Sequence, residues 1–371
     1  MKMLLKKLVQ AESTLQKGEL AAAQIICEEL RQSGIDSTID LWDSTRANIT
    51  ARIKSSSRKA ALLFPCHLDV VPPGETPWQN PPFSATERDG KIFGRGSADM
   101  KGGLAAIVTA IKQIVGSGAE LKGDIVLAAV AGEETDSCGA KRFIQDQSGK
   151  LPPLAGVVVP EPTDFDIVTA HRGILWLKIT TKGKAAHGST PHLGINAITS
   201  MKALLDELDN YKIPFEPHEL LGGSSMSINT ITGGKAINIV PDNCSIQIDI
   251  RTLPSQNHRE IIDSFEKIFA KLKRKDPQFD AEVSVVRASD ALETDPACDF
   301  VKDFCSAVAI NRTKAVGFTT DGPYFASLGA PVVIFGPGKP EICHKPDEYI
   351  EIADLQKAVD YYKKIILKFL S

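Results

Sequence analysis

Two kinds of hydrophobic patterning alternate along this chain. In its first part, continuous apolar runs stand between stretches of helical periodicity. Residues 18–31 place Leu20, Ala23, Ile26, Cys27 and Leu30 at helical spacing. Residues 59–68 hold the run AALLF, too short for a free helix and typical of a buried strand. Asp89-Gly90, between FSATER and KIFGRG, predicts a hairpin turn, because that pair tolerates positive φ. Residues 100–115 carry Leu104, Ile107, Val108 and Ile111 on one side of a helix, with Gly116 as its stop. Residues 125–131 and 154–159 are two more apolar strands. Alternation on this scale predicts an α/β layer with a mainly parallel central sheet flanked by helices.

From residue 173 the texture changes. Residues 174–181, 225–232 and 245–251 alternate apolar and polar positions with period two, which suits a sheet with one wet face. Helical patterns over 194–208 and 258–272, and a last strand over 282–287, complete the order strand–helix–strand–strand–helix–strand of a small α+β sandwich. After residue 288 the buried pattern resumes with a helix over 298–310, then AVGF and PVVIFG. The chain therefore predicts one domain from residues 1–172 and 288–371, with an α+β domain inserted over 173–287.

Composition narrows the classes without choosing among them. A length of 371 residues is ample for two domains, at about 150 residues each. Lys and Arg number 43 against 46 Asp and Glu, so there is no basic excess of the kind a nucleic-acid binder shows. The apolar runs are too short to span a membrane, and Lys6 and Lys7 interrupt the start where a secretory signal would need an uncharged core. Seven cysteines, an odd number with no CxxC pair, argue against a disulfide framework and for a reduced, cytoplasmic setting.

Five short segments carry the chemistry. PCHLDVVPPG at 65–74 sets His67 and Asp69 two apart at a strand end, on one face. There an imidazole can bind a metal while a carboxylate organises it. GRGSADMKGG at 94–103 places Asp99 on a Gly-rich loop before a helix; alone, it reads as an N-cap. AGEETDS at 131–137 sets Glu133 and Glu134 directly after a buried strand, where ligands of open α/β sheets bind. VVVPEPTD at 157–164 ends another apolar strand in Glu161, and FGPGKPEICHKPDEY at 335–349 presents His344 after a Gly/Pro loop. Each segment alone has an ordinary structural explanation. Jointly, they deliver two histidines and several carboxylates to one edge of a parallel sheet. That donor set suits two divalent ions sharing a carboxylate, zinc or a neighbour such as cobalt or manganese. One of Glu133 and Glu134 is left over for proton transfer.

In this combination and order the segments resemble the M20 metallo-amidohydrolases, which include acetylornithine deacetylase, succinyl-diaminopimelate desuccinylase, aminoacylase and glutamate carboxypeptidase. The resemblance covers essentially the whole chain. It implies that His67, Asp99 and Glu161 hold one metal and that Asp99, Glu134 and His344 hold the other. It further implies Glu133 as general base, Asp69 as the carboxylate orienting an imidazole, and a cis peptide at Asp99–Met100. KAAHGSTPHLGINAI at 184–198 resembles the start of the family's lid or dimerisation domain. His187 matches a histidine that in dimeric members stabilises the oxyanion in the partner's site. Asn238 and Arg251 match positions that grip the substrate's α-carboxylate, and Gly322 is a further expected substrate contact.

The amide itself is legible from fewer residues. Glu161 is a glutamate, as in the deacylase branch; FTTDGPYF places Pro323 where the desuccinylase pattern has an arginine; and GPGKPEICHKPDEYIE resembles the acetylornithine deacetylase form of its motif. The expected substrate is an N-acyl amino acid, acetylornithine first. Succinyl-diaminopimelate, a dipeptide, or a silent binding role on the same scaffold are the alternatives. Cys66, Cys138 and Cys343 lie beside or near expected ligands, which raises the expectation of an oxidation-sensitive site.

Overall fold

The computed structural model describes residues 1–57, 59–147 and 149–371. These fall into two compact units, one of Met1–Thr169, Glu293–Ala315 and Thr320–Ser371, the other of Ala170–Leu292 and Val316–Thr319.

In the first unit the strands Gly123–Val130, Lys59–His67, Leu154–Val159 and Val332–Ile334 lie side by side and parallel. All are buried over most or all of their length. A strand covered on both faces has no wet side to mark, so its sequence is a continuous apolar run. Antiparallel strands extend the sheet on one side, Ala47–Ile53 beside Gly123–Val130 and then Ser37–Leu41. On the other side Val168 pairs antiparallel with Ile334. Because the four central strands share one direction, their carboxyl ends open onto one edge.

The helices Lys101–Gly116 and Ile352–Leu370 pack against each other over this sheet. Ile352–Leu370 buries Leu355, Ala358, Val359, Tyr362, Ile365 and Ile366, an i, i+3, i+4, i+7 stripe that the sequence carries plainly. The amino-terminal helix Lys2–Gln10 buries Leu4, Leu5, Leu8 and Val9, with Lys6 and Lys7 on its other face. Gly116 does not stop its helix. It is the last helical residue, Ser117 follows as the cap, and Gly118 takes the left-handed conformation, φ 70°, that ends helices. The hairpin turn at Asp89-Gly90 forms with φ of 52° and 73°. It joins Thr86–Arg88 to Lys91–Phe93, and Tyr349–Glu351 completes a three-stranded sheet.

The second unit is a four-stranded antiparallel sheet in the order Ser225–Gly233, Asn243–Thr252, Gly173–Lys182, Asp280–Ser289. The helices Ala197–Leu208 and His258–Lys275 are capped by the Asn196 and Asn257 side chains, which accept from Ile198 N and Arg259 N. Leu177, Ile179, Ile246 and Ile248 from the strands meet Met201, Leu204 and Phe265 from the helices in one core. Each such burial contributes roughly 1.5–3 kcal/mol. Among the described residues no helix is long and apolar enough to cross a membrane.

Candidate metal centre

The strand ends of the first unit bring the expected side chains together in overlapping groups, two of which share Asp99. The deeper group is His67, Asp99 and Glu161, with one ligand atom of each within 4.8 Å of the others. His67 Nε2 stands 3.0 Å from Asp99 Oδ1 and 3.6 Å from Glu161 Oε1. The second group is Asp99, Glu134 and His344. His344 Nε2 stands 3.2 Å from Asp99 Oδ2 and 3.0 Å from Glu134 Oε1. Asp99 thus shows one oxygen to each histidine. Ligand atoms about 2.0–2.1 Å from a tetrahedral zinc lie about 3.3 Å apart, so both groups fit an imidazole–carboxylate site of that kind. The deeper group is closed, with the His67 side chain 1% exposed, whereas the His344 side chain is 50% exposed and opens to solvent.

Local structure explains each placement. His67 ends its strand, and its Nδ1 donates to the main-chain oxygen of Asp69 at 3.0 Å, which turns Nε2 towards Asp99. Asp99 precedes the helix Lys101–Gly116, and its peptide to Met100 is cis, as the resemblance implies. Glu161 follows Leu154–Val159, and Gly103 lets the helix approach it closely: a β-carbon there would meet Pro160 O at 2.0 Å. His344 takes φ 62° in the loop after Val332–Ile334. Asp69 differs in detail from the expectation. Its carboxylate stands 3.7 Å from His67 Nδ1, and it accepts instead from the main-chain N–H groups of Gly132, Glu133 and Glu134 at 2.9, 3.2 and 3.0 Å. It orders the glutamate loop with its side chain and the imidazole with its backbone.

The electrostatics are those of a site built for positive charge. Burial would raise the Asp99 carboxyl, yet hydrogen bonds from His344 and His67 hold it well below the carboxylate range. Burial opposes a charged His67 ring, but Glu161, Asp99 and Asp69 raise it well above its ordinary value. Burial pushes Glu133 far up, only partly offset by His67, and Glu134, Asp321 and Glu161 add to the rise. Glu133 also lies within 4.8 Å of ligand atoms of His67 and Glu134, beside both groups. Four carboxylates gathered around two imidazoles are held together by protons or cations.

Gly322 begins the short helix Gly322–Ala326 in the first unit, buried, with its N–H donating to Thr320 Oγ1 at 3.0 Å. The other expected substrate contacts belong to the second unit. His187 is exposed, with Nδ1 2.7 Å from Ser189 Oγ, and Gly188 N donates to Asn238 O at 2.7 Å, so His187 and Asn238 lie on adjoining segments. Arg251 donates from Nη2 and Nε to Asp249 Oδ2 at 2.9 and 3.2 Å. Asp249, two positions back on the same strand face, was not among the expected residues.

Three further groups escaped the sequence reading. Lys101, fully buried, donates from Nζ to Leu8 O at 2.8 Å, and burial pushes its ammonium down to about 7 against the pull of Asp69 and Glu348. Asp321 is buried and adds negative charge at Glu133. Arg95 and Glu348 form a buried ion pair at 2.6 Å. All stand within or beside the quoted motifs, but a buried charge leaves no periodicity to find it by. The cysteine expectation meets a physical obstacle. Burial raises the Cys66 and Cys343 thiols and pushes Cys138 up to about 12, a direction that disfavours the thiolate through which oxidation proceeds.

A sequence model described as Peptidase family M20/M25/M40 matches residues 63–368. A "Probable succinyl-diaminopimelate desuccinylase" of Staphylococcus epidermidis is 30% identical over 387 residues, covering 95% of this chain and 93% of that protein. An acetylornithine deacetylase of Myxococcus xanthus is 28% identical over 320 residues, covering 85% and 82%. Among solved structures, an M20 family metallo-carboxypeptidase from Sulfolobus solfataricus superposes with a TM-score of 0.81 at 20% identity, covering 99% of this chain and 98% of that one.

Proposed function

Since the chain belongs to Peptidase family M20/M25/M40 and is a metal-dependent hydrolase of that family, we propose that it hydrolyses the amide bond of an N-acyl amino acid with two divalent ions, zinc first. The observation that carries this reading is the position of Asp99, one oxygen towards His67 and the other towards His344, with Glu133 alongside. Bound cations would polarise the scissile carbonyl and lower the pKa of a water, so that it attacks as hydroxide once it has given up a proton. Glu133 takes the proton from that water and returns it to the leaving amine. Asp69 holds Glu133 and Glu134 in register through their backbone. By the family resemblance, His187 meets the oxyanion in the site of a second copy, and Asn238, Arg251 and Gly322 bind the substrate. A planar guanidinium can grip a carboxylate through two hydrogen bonds.

The acyl group we assign is acetyl and the amine ornithine. Pro323 removes the cation that a succinyl carboxylate would need, and the buried Asp321 adds negative charge at Glu133, which disfavours an anionic acyl group. Desuccinylation is the second reading, favoured by the 30% identity to the staphylococcal protein. Acetylornithine, succinyl-diaminopimelate, acetylmethionine and a dipeptide, offered side by side to the metal-loaded protein, separate these. Turnover confined to the dipeptide would overturn the deacylase assignment.

Residues 173–287 serve as the lid and dimerisation domain. The edge strand Ser225–Gly233 exposes Ile228 and Ile231, and Ile198, Ile237 and Ile239 of the same unit are exposed as well, apolar surface that supports association with a second copy. The seven free thiols support a reducing, cytoplasmic location. Sedimentation velocity tests the dimer; a monomer at micromolar concentration would count against it.

A further inference from the structure

Asp99 and His344 come from segments almost 250 positions apart, yet their side chains meet at 3.2 Å. The three-stranded sheet brings the segments together, since Phe93 pairs with Tyr349 and Gly94 N donates to Glu348 O at 2.8 Å. At the end of that ladder stand Arg95 and Glu348, with side chains 2% and 0% exposed and Nη1 2.6 Å from Oε2. Each reaches main chain at or next to the other segment's ligand. Glu348 Oε1 accepts from the N–H groups of Ala98 and Asp99 at 2.9 and 3.1 Å. Arg95 Nη1 donates to the main-chain oxygen of Lys345, next to His344, at 3.4 Å. Arg95 also lies over the Trp78 ring, 5.0 Å from its centroid.

A buried ion pair is weak support for stability, because apolar residues of similar volume often do as well or better. This one pays in geometry instead. The geometry points to Arg95–Glu348 as a positioning element that fixes the approach of Asp99 to His344, and with it the affinity of the Asp99–Glu134–His344 group for its ion. The inference rests on the two-ion reading above. The deeper group owes His67 and Glu161 to other strands and depends on the pair only through Asp99.

The test is zinc titration of the full chain against a chromophoric chelator, for wild type, Glu348→Gln, and the double variant Arg95→Met with Glu348→Gln. The glutamine keeps an acceptor for Ala98 and Asp99 but turns an amide N–H2 towards Arg95; the double variant removes that unpaired guanidinium. Loss of a group that orients metal ligands typically weakens binding by about 10–100-fold, and that loss is expected for one of the two zinc ions, with the other changed by less than about threefold. Circular dichroism of the metal-free forms is expected to match wild type. If the single variant fails to fold, the double variant decides. Equal weakening of both ions, no weakening, or failure of both variants to fold would overturn the positioning role. Wild type that takes up fewer than two zinc ions would overturn the two-ion reading itself, a result distinct from unchanged variants of a protein that binds two.

Discussion

Asp69 reaches the main chain of Glu133: its Oδ1 accepts from the Glu133 N–H at 3.2 Å, while Oδ2 accepts from Glu134 N at 3.0 Å. Replacing Asp69 by Asn keeps one acceptor and turns the other into a donor facing a donor. Asp69→Asn is expected to fold and to lose about 10–100-fold in kcat, the usual cost of disturbing a group that orients metal ligands. Steady-state kinetics at saturating metal checks this. A variant with wild-type kcat would show that the loop is held by other contacts.

Glu133 is absent from the two triads that share Asp99, although it also groups with His67 and Glu134. Glu133→Gln preserves its volume and removes its capacity to carry a proton between water and amine. General acid–base contributions run to about 10²–10⁴-fold, so a kcat loss of that size is expected with zinc stoichiometry unchanged. Atomic absorption of the purified variant together with kcat decides. Loss of zinc in parallel with activity would recast Glu133 as a ligand.

Much of this site was legible because its residues sit at predictable ends of predictable strands. His67, Glu134 and Glu161 each follow an apolar run, and parallel pairing brings such ends to one edge. Asp99 and His344 lie on loops and were placed only by their motifs. The role of Asp69 could not be read in full. A period-two argument puts its side chain beside His67, but the strand ends at His67, and beyond it the carboxylate turns to the N–H groups of residues 132–134. Arg95, Lys101 and Glu348 were invisible for another reason. Sequence patterns mark charged residues as solvent-facing, and only tertiary packing shows that these three are buried. The helix Ile352–Leu370 carries its apolar stripe at the same spacing as Leu104, Ile107, Val108 and Ile111 of Lys101–Gly116.

Removing the ions is expected to weaken the fold as well as stop the reaction. Asp99, Glu133, Glu134 and Glu161 converge in a buried site, and without cations their mutual repulsion is relieved only by protons. A ligand at 1,000 times its Kd stabilises by about 4 kcal/mol per site, so chelation is expected to lower Tm by several degrees, restored by zinc. Calorimetry with and without chelator tests this. Identical Tm values would mean that the groups do not hold ions tightly.

His171, fully buried in the second unit, carries a prediction about pH. Its Nδ1 donates to the main-chain oxygen of Arg172 at 2.9 Å, and burial lowers its pKa from 6.5 to about 4 despite that bond. Between those values the unfolded chain holds a proton that the folded chain does not, so stability rises with pH through the window. The contribution is complete above pH 6.5 and is lost as pH falls towards 4, with a slope of at most about 1.4 kcal/mol per pH unit. His171→Gln, which accepts no proton, is expected to flatten the acid side of the Tm profile while changing it little above pH 7. Parallel wild-type and variant curves from pH 7 down to 4 would show that the ring is protonated as readily in the fold as outside it.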